Sequence, residues 1–459
     1  MLMKRLLIFL TTIIIFATCT ISIIVYSNSH DYHLISLILD SNEIDMPGVY
    51  LCDHCGGQEI RSISQEDVNI PIISFSGDMT GISKENNVKI SVYYKSLEKD
   101  IDCDATLKWQ GASSLSYPKK NFTIKFLEKG TSKKYKVELK DGWGKQDKYC
   151  LKANYIDFSQ ARNVVSGQIY SQVVKSRNLE DEIEQLVNGG AVDGFPTLIY
   201  INGAYQGLYT LNIPKDKWMF GMEDDEEGDE TITKQALLMG DYWTDGALLK
   251  EIINDDFTSS GFELEYCSTE DTIGNDWVVE SFNAMIDFIN NNDGEAFREG
   301  ISNYVCLDRT IDSILYTWLI NANDNTAKNI LWTTYDGLHW FSSMYDMDGT
   351  WGISWNGMQN TISPQNFWNE GSGPNNLWIK ILENFQTEIR QRYLELRLNI
   401  FSAENLKNSF REFMGTIPSF IYESDKAKWT ESPSIKWGTL EYIENYIDMA
   451  ITTIDNYFN

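Results

Sequence analysis

The sequence of 459 residues predicts an α+β fold, with a β-rich first half and a mostly helical second half. In the first half, apolar runs such as IPIISFSG and VKISVYY are broken by Gly, Asn and Asp, a pattern typical of strands. The pair Asn202-Gly203 between two such runs is a strong signal for a type I′ hairpin. After Pro214, apolar positions recur at helical spacing in residues 277–292, 307–321, 375–396, 403–425 and 439–457.

A regular order of elements is predicted between residues 105 and 211. The strands cover residues 105–110, 121–126, 148–155, 195–201 and 205–211. A small-residue loop, 111–120, separates the first two strands, and a helix over 160–175, with Ser159 as its N-cap, follows the third. The order is therefore strand, loop, strand, strand, helix, strand, strand.

These patterns divide the chain into four segments. We expect a signal peptide or signal anchor at residues 1–28, a small β-rich entry module at 29–104, a β-rich small lobe at 105–216 and a mostly helical large lobe at 217–459.

The N-terminal segment predicts export or membrane anchoring. Residues 6–25 contain no charge and follow Lys4-Arg5, and an apolar stretch of this length can span a bilayer. A cleaved signal has a shorter apolar core and a small-residue cleavage site, so a retained anchor is favoured over a removed peptide. We therefore expect a membrane-anchored or secreted protein with most of its chain outside the cytosol.

The chain is strongly acidic, with 38 basic and 66 acidic residues and a formal net charge of −28. Such a surface repels phosphates and argues against binding to nucleic acid. The acidic run at residues 223–230 is best explained as a solvated loop, and attraction of a basic protein substrate is the alternative.

Six cysteines follow the N-terminal segment, an even number that permits disulfides in an exported chain without requiring them. Cys52-Asp53-His54-Cys55 has the spacing of a redox or zinc half-site. The sequence has no second C-x-x-C and only 4 histidines, so a tetrahedral zinc site is not favoured over a local disulfide or free thiols.

The chemistry is predicted to lie between residues 323 and 349. Asp324 is followed five positions later by Asn329, and the runs 330–335 and 338–345 read as two strands around Asp336-Gly337. That hairpin brings Asp346 back beside Asn329. Kinase-type phosphoryl transfer needs a carboxylate that orients the acceptor hydroxyl, and oxygen ligands that hold Mg²⁺ or Mn²⁺ against the phosphates of ATP. The His-Arg pair that usually precedes the catalytic Asp is replaced by Ala322-Asn323.

These residue types and their spacing make Asp324 the candidate for the orienting carboxylate, and Asn329, Asp346 and Asp348 the candidate metal ligands. The alternative for Asp346 and Asp348 is turn chemistry, since Asp-x-Asp-Gly also makes good loops. Two carboxylates this close repel each other unless a cation lies nearby, which favours the metal.

Candidate contacts to the phosphates of ATP come from the small lobe. Ser113 and Ser114 in the loop 111–120 can donate hydrogen bonds, and Lys119 or Lys120 can add charge. Lys152, on the third strand, and Arg162, early in the helix, are further candidates. The alternatives are an ordinary hairpin connection for the loop, a solvated strand lysine, and a salt bridge between Arg162 and Asp157.

The chain resembles the CotH family, the spore-coat-protein-H type of atypical protein kinases. The matching passages lie in order over residues 105–352 and are Gly111 to Ser114 with Pro118-Lys119-Lys120 and Phe122 to Phe126; Leu151 to Ser159 with Arg162-Asn163; Tyr200 to Tyr209; Asp324 with Asn329; and Tyr345 to Gly352. The resemblance implies a divergent, two-lobed protein-kinase-like fold. It also implies transfer of phosphate from ATP, with a divalent metal, to Ser or Thr hydroxyls of a protein of the cell surface or spore coat.

The resemblance implies that Asp324 orients the acceptor hydroxyl, that Asn329 and Asp346 bind metal and that Asp348 assists. The chain departs from the family pattern at two positions. The family usually has Trp before the Asp-x-Asp and an acidic residue after the Leu-Tyr-x-Leu strand, where this chain has Tyr345 and Asn212. The second departure removes a carboxylate near the expected edge of the nucleotide.

Two alternatives to a kinase belong to other functional classes. One is a catalytically silent scaffold that kept the fold for surface or coat assembly. The other is a carbohydrate-binding surface protein that stacks sugars on tryptophans such as Trp332, Trp340, Trp351 and Trp355, although core packing is the favoured explanation for most of them.

Overall fold

The computed structural model describes residues 69–225, 233–368 and 373–458, together with the backbone of short strands at 34–35, 49–51 and 61–62. The predicted signal or anchor at 1–28, the Cys52-x-x-Cys55 motif and most of the acidic run at 223–230 lie outside the described residues. Within the described part of the chain, no helix is both long and apolar enough to cross a bilayer.

The strands of the described residues form three sheets. The first is antiparallel and consists of β1 to β3; the second is a closed barrel in the order β10-β8-β7-β6-β5-β4-β9; the third has the order β12-β11-β13-β14. In chain order the strands are β1 Leu34–Ile35, β2 Val49–Leu51, β3 Arg61–Ser62, β4 Ile72–Ser76, β5 Val88–Lys95, β6 Asp100–Gln110, β7 Asn121–Leu127, β8 Lys148–Lys152, β9 Gly194–Ile201, β10 Ala204–Asn212, β11 Ala236–Gly240, β12 Phe262–Cys267, β13 Ile330–Thr334 and β14 Phe341–Met344.

The α-helices of the described residues lie mainly after residue 275. They are α1 Arg162–Lys175, α2 Glu182–Gln185, α3 Asp276–Asn291, α4 Gly294–Gly300, α5 Leu307–Ile320, α6 Asn376–Asn384, α7 Gln386–Arg397, α8 Ala403–Gly415, α9 Ser419–Lys428 and α10 Leu440–Phe458.

The α+β class and the predicted order of elements between residues 105 and 211 are confirmed. Asn202 and Gly203 have φ values of 49° and 79°, the left-handed pair that a type I′ turn requires. The helix predicted at 403–425 is two helices, because Pro418 lacks an N–H and begins a new helix instead of continuing α8. Ser159 is not the N-cap of α1; Ala161 occupies that position and makes no side-chain cap bond.

The barrel is built from strands that alternate in burial. In β6, Ile101, Cys103, Ala105 and Leu107 are buried, whereas Asp100 and Asp102 are exposed. Because successive side chains of a strand point to opposite faces, the apolar set fills the interior of the barrel. The successive strands from β4 to β8 pair antiparallel, whereas β4 and β9 are parallel. A closed barrel was not part of the small-lobe prediction.

The chain divides into two compact units whose limits differ from the predicted domains. The barrel unit comprises the described parts of Met1–Ala153, Phe195–Leu211 and Gly415–Ser432, and the second unit comprises Asn154–Gly194, Asn212–Met414 and Pro433–Asn459. The predicted limit at residue 104 does not separate units, because β4 and β5 close the same barrel as β6. Helix α1 belongs to the second unit, and α9 belongs to the barrel unit.

Helix α5 lies at the centre of the second unit. All of its residues from Arg309 to Ile320 are buried, and it packs against β14. Asp312 is fully buried and accepts hydrogen bonds from Arg177 at 2.9 Å and Arg392 at 2.7 Å. Buried charges are tolerated only when they are paired and hydrogen-bonded, so this network fixes α5 against its neighbours.

The tryptophans singled out for carbohydrate stacking are mostly core residues. Trp332, Trp340 and Trp351 are fully buried, as core packing predicts, and cannot present a face to a sugar. Trp355 differs, since 61% of its surface is exposed.

A buried ion pair attaches α9 to the barrel. The side chains of Lys119 and Asp425 are 1% and 5% exposed, and their charged groups are 3.0 Å apart. The Lys119 ammonium also donates to the carbonyl of Leu208 at 2.6 Å, and Asp425 accepts the N–H of Leu208 at 2.8 Å. Burial lowers the pKa of Lys119 and raises that of Asp425, and the attraction between the two charges opposes both shifts. Lys119 is thereby committed to a structural contact.

We expect Asp425→Ala to lower the free energy of unfolding by about 3–5 kcal/mol, because it leaves the Lys119 ammonium buried without its partner. Urea denaturation followed by tryptophan fluorescence measures the loss. The control is Glu423→Ala on the same helix, whose exposed carboxylate lies 4.0 Å from Lys426 and whose loss should cost less than about 1 kcal/mol. Equal stabilities for the two variants would contradict the assignment.

Candidate active site

The hairpin of β13 and β14 brings two predicted site residues together. Its register pairs Ile330 with Met344, and the N–H of Tyr345 donates to the carbonyl of Asn329 at 3.0 Å. The next residue along the chain is Asp346. The expectation that this hairpin returns Asp346 to the side of Asn329 is therefore confirmed, although the strands are shorter than predicted.

Asp324 lies on a single 3₁₀ turn, Asn323–Asn325, and contacts Asn329 directly. The Asn329 Nδ2 donates to Asp324 Oδ2 at 3.2 Å, and the Lys328 ammonium lies 3.4 Å from the same oxygen. The Asp324 side chain is 29% exposed, so its carboxylate can still reach a molecule in solution. The sequence spacing of five residues corresponds to a side-chain contact.

Both Asn329 and Asp346 adopt the left-handed backbone conformation, each with a φ of 57°. Asn and Asp tolerate this region better than other residues that carry a Cβ. Trp351, with a φ of 50°, is a bulky residue in the same region, which is rare. Backbone strain of this kind persists only where the surrounding structure imposes it, and it is concentrated at functional sites.

Asn325 joins the two segments that carry the predicted ligands. Its side-chain Nδ2 donates to the carbonyl of Tyr345 at 2.7 Å and to that of Asn329 at 3.3 Å. It is buried and fixes the separation between the Asp324 turn and the start of the Asp346 loop. No sequence pattern pointed to this residue.

The Asp346-Met347-Asp348-Gly349 loop is held from two sides. The N–H of Met347 donates to Asn163 Oδ1 at 3.0 Å, and the Thr350 hydroxyl donates to the Met347 carbonyl at 2.6 Å. The N–H of Trp351 donates to the carbonyl of Ile320, at the end of α5, at 2.9 Å. These hydrogen bonds fix the backbone of the loop against α1 and the end of α5.

Arg162 also stabilises this loop. Its side chain is fully buried and bonds the Asp157 carboxylate at 2.6 Å, the Thr350 carbonyl at 2.9 Å and the Trp437 carbonyl at 2.6 Å. The salt bridge with Asp157, one of the two alternatives for this residue, is the one present. A guanidinium committed to these partners does not reach a phosphate, so the role of Arg162 here is to position the loop.

The other predicted phosphate contacts belong to the barrel unit. Residues Ser113–Ser116 form a 3₁₀ turn, in which Ser114 Oγ accepts from Asn121 at 3.3 Å. The Lys120 ammonium donates to the carbonyls of Leu115 and Tyr117, each at 2.6 Å, and so closes this turn. Lys152 ends β8 and is buried. Their contact with phosphate stays a prediction.

A small charged cluster lies beside the residue that precedes Asp346. The Lys215 ammonium is 5.9 Å from the centre of the Tyr345 ring and 3.2 Å from Glu263, and it also contacts Glu265. Burial raises the pKa of Glu265 to about 7, against the opposing effect of the Lys215 charge. Lys215 is thus neutralised by acids of its own unit.

The donor set fits a hard divalent cation in its chemistry. Asn329 turns its amide nitrogen to Asp324 and so leaves the amide oxygen for a ligand, and Asp346 follows in the adjoining loop. Amide and carboxylate oxygens are the ligands that Mg²⁺ and Mn²⁺ prefer. The described residues contain no group of three or more His, Cys, Asp or Glu side chains placed to hold a metal, so such a site depends on the Asn oxygen, or on oxygens of water or phosphate.

A family model described as CotH kinase protein matches residues 107–454, which is most of the chain. The protein belongs to the CotH kinase family. The match extends well past the passages on which the sequence resemblance was based and includes the helices up to α10. The search of curated proteins gives no match.

One departure from the CotH pattern is visible in the structure. Asn212, at the end of β10, is buried, and among the described residues neither polar atom of its amide has a hydrogen-bond partner. Leaving a buried amide unpaired costs about 1–3 kcal/mol.

Three residues at the candidate site, Lys328, Asn325 and Gly240, have only weak signals in the sequence. Lys328 follows Asp324 by four residues in an acidic chain, and this spacing was the available signal. Asn325 looks like any other turn residue in the sequence. Gly240 is an isolated glycine at the end of an apolar run. Its carbonyl accepts the N–H of Asn329 at 2.7 Å, and a Cβ at Gly240 would lie 2.1 Å from the Ala327 carbonyl oxygen.

We expect Gly240→Ala to displace the Ala327 to Asn329 segment and to lower the free energy of unfolding by about 1–3 kcal/mol, because the added methyl meets backbone that cannot move alone. Thermal unfolding measures the loss. Gly415→Ala is the control, since its added Cβ would meet nothing within 4 Å. A Gly240→Ala protein as stable as the control would contradict the close approach.

Proposed function

We propose that this CotH-family protein is an ATP-dependent protein kinase that transfers the terminal phosphoryl group to Ser or Thr hydroxyls of a surface or coat protein. The proposal rests above all on one arrangement: the Asp324 carboxylate bonds Asn329, and Asn329 lies opposite Tyr345, directly before Asp346. A candidate hydroxyl-orienting carboxylate and two candidate metal ligands are thus within one unit, in the chain order that protein kinases have.

The proposed roles follow from position and exposure. Asp324 orients the acceptor hydroxyl and accepts its proton, which its partly exposed carboxylate allows. Asn329 and Asp346 bind Mg²⁺ or Mn²⁺, and Asp348 assists. The cation, when bound, neutralises the charge of the transferring phosphate. Lys328, 3.4 Å from Asp324, helps to orient that carboxylate.

The remaining parts of the proposal concern the barrel unit and the fold. We assign Ser113, Ser114 and either Lys120 or Lys152 to the phosphates of ATP. The two units would correspond to the lobes of a divergent kinase. The acceptor is a protein outside the cytosol, since the N-terminal segment predicts export or membrane anchoring.

A catalytically silent coat or surface scaffold is the second candidate. The observation that favours it is Asn212, which stands where the family usually has an acidic residue. Binding of ATP with Mn²⁺, together with phosphoryl transfer, would separate the kinase from this scaffold.

Asp324→Asn is expected to reduce phosphoryl transfer about 100-fold or more, because an amide cannot accept the proton of the hydroxyl. The full chain is incubated with labelled ATP and Mg²⁺ or Mn²⁺, and label in the protein itself or in Ser-containing peptides is counted. Thermal unfolding should be unchanged, since the substitution keeps the shape of the side chain. Asp141→Asn, at a carboxylate that is 95% exposed, is the control. Full activity of the Asp324→Asn protein would contradict the catalytic role of Asp324.

Asp346→Asn is expected to weaken binding of ATP with Mn²⁺ about tenfold or more, which corresponds to about 1.4 kcal/mol. Asn keeps the left-handed conformation, so the change tests the charge and not the backbone. The shift in melting temperature on adding ATP and Mn²⁺ is the measurement. Asp293→Asn, whose carboxylate is 88% exposed, is the control. An unchanged shift for Asp346→Asn would show that this carboxylate does not bind the metal.

A further inference from the structure

Directly after the Asp346 loop, the chain forms a tight turn at residues 353–360. The N–H of Ser354 donates to the carbonyl of Met358, and that of Gly357 donates to the carbonyl of Ser354, both at 2.8 Å. Gly357 has a φ of 76°, and a Cβ there would lie 2.8 Å from the carbonyl oxygen of Ile156. The turn is therefore closed by its own backbone and packed tightly at its base.

The turn is attached to both segments of the candidate active site. Its Trp355 backbone packs on Gly349, where a Cβ would lie 3.0 Å from the Trp355 nitrogen. At its other end, the Asn360 Nδ2 donates to Asn323 Oδ1 at 2.8 Å, and Asn323 directly precedes Asp324. The turn thus connects the loop that carries Asp346 to the turn that carries Asp324.

This anchored turn exposes two large apolar side chains. Trp355 is 61% exposed and Met358 is 51% exposed. Residues 349–369 contain no charged residue, although the chain as a whole has 66 acidic residues. An exposed indole and an exposed thioether on one turn that is closed by its own backbone, in a stretch of sequence without charged residues, suit apolar contact better than ion pairing.

We propose that Trp355 and Met358 form a docking surface for an apolar side chain of the protein substrate, a few residues along the chain from the acceptor Ser or Thr. This inference rests on the proposed kinase function. Because the turn is fixed to both catalytic segments, a side chain bound there would set the position of the acceptor hydroxyl relative to Asp324. The surface therefore selects substrates by an apolar residue near the acceptor.

The test uses short peptides with one Ser in a Gly-Ala background and a single Leu at successive positions on either side. The full chain should phosphorylate the peptide with Leu at one position with a kcat/KM about tenfold or more above that of the peptide without Leu. Trp355→Ala should remove this preference by raising the KM for the Leu peptide, because the substitution removes a contact that is made when the peptide binds. Trp355→Phe should retain part of the preference.

Leu398→Ala is the matched control, because Leu398 is an apolar side chain that is 87% exposed, at the end of α7. This variant should keep the wild-type preference. The Trp355→Ala protein should have the melting temperature of the wild type and the same increase in melting temperature on adding ATP and Mn²⁺. These two results would show that the substitution affects only the use of peptide substrates.

Two results would overturn the docking surface while the kinase function stands: equal rates for every Leu position, or an unchanged preference in Trp355→Ala. Absence of transfer to any peptide would instead overturn the kinase function. Fluorescence anisotropy of labelled Leu peptides then decides the docking surface alone, since binding lost in Trp355→Ala supports it and no binding overturns it. Trp355-dependent binding of a glycan, without binding of peptides, also overturns it.

Discussion

The buried guanidinium of Arg162 is the contact on which the arrangement of the candidate active site depends. It bonds the carboxylate of Asp157 and the carbonyls of Thr350 and Trp437, which come from three separate stretches of the second unit. Since an unpaired buried charge is very costly, these partners keep their positions as long as the unit is folded. Thr350 follows the Asp346-Gly349 loop, and the next residue of the helix, Asn163, bonds Met347 within it. One helix N-terminus therefore positions the loop that is proposed to bind metal.

The same loop is connected to the core through α5. The carbonyl of Ile320 at the end of α5 accepts the N–H of Trp351, and the Trp351 indole donates to Ser166 of α1 at 2.8 Å. Helix α5 is itself fixed by the bonds of Asp312 to Arg177 and Arg392. The site is consequently carried by rigid elements, as precise positioning of reacting groups requires. The left-handed conformations of Asn329 and Asp346 are maintained by this surrounding structure.

The exposed turn at 353–360 shows how the same scaffold can serve a second purpose. Its bonds to Asn323 and its packing on Gly349 give it the rigidity of the catalytic segments, whereas its Trp355 and Met358 side chains face solvent. An apolar surface of this kind would add substrate selection to the proposed transfer without any change in the residues that carry the chemistry.

The sequence by itself determined the order of the elements, the Asn202-Gly203 turn, the hairpin between Asn329 and Tyr345, and the family. These features depend on local patterns, such as alternation, turn residues and short spacings, which a single stretch of chain contains. Tertiary structure alone decided that β4 and β5 complete a closed barrel, that Lys119 pairs with Asp425, and that Arg162 supports a loop instead of reaching a phosphate. In each of these cases the partner is remote in sequence or one of several acids, so no local pattern distinguishes a buried ion pair from a residue that is free to bind a ligand.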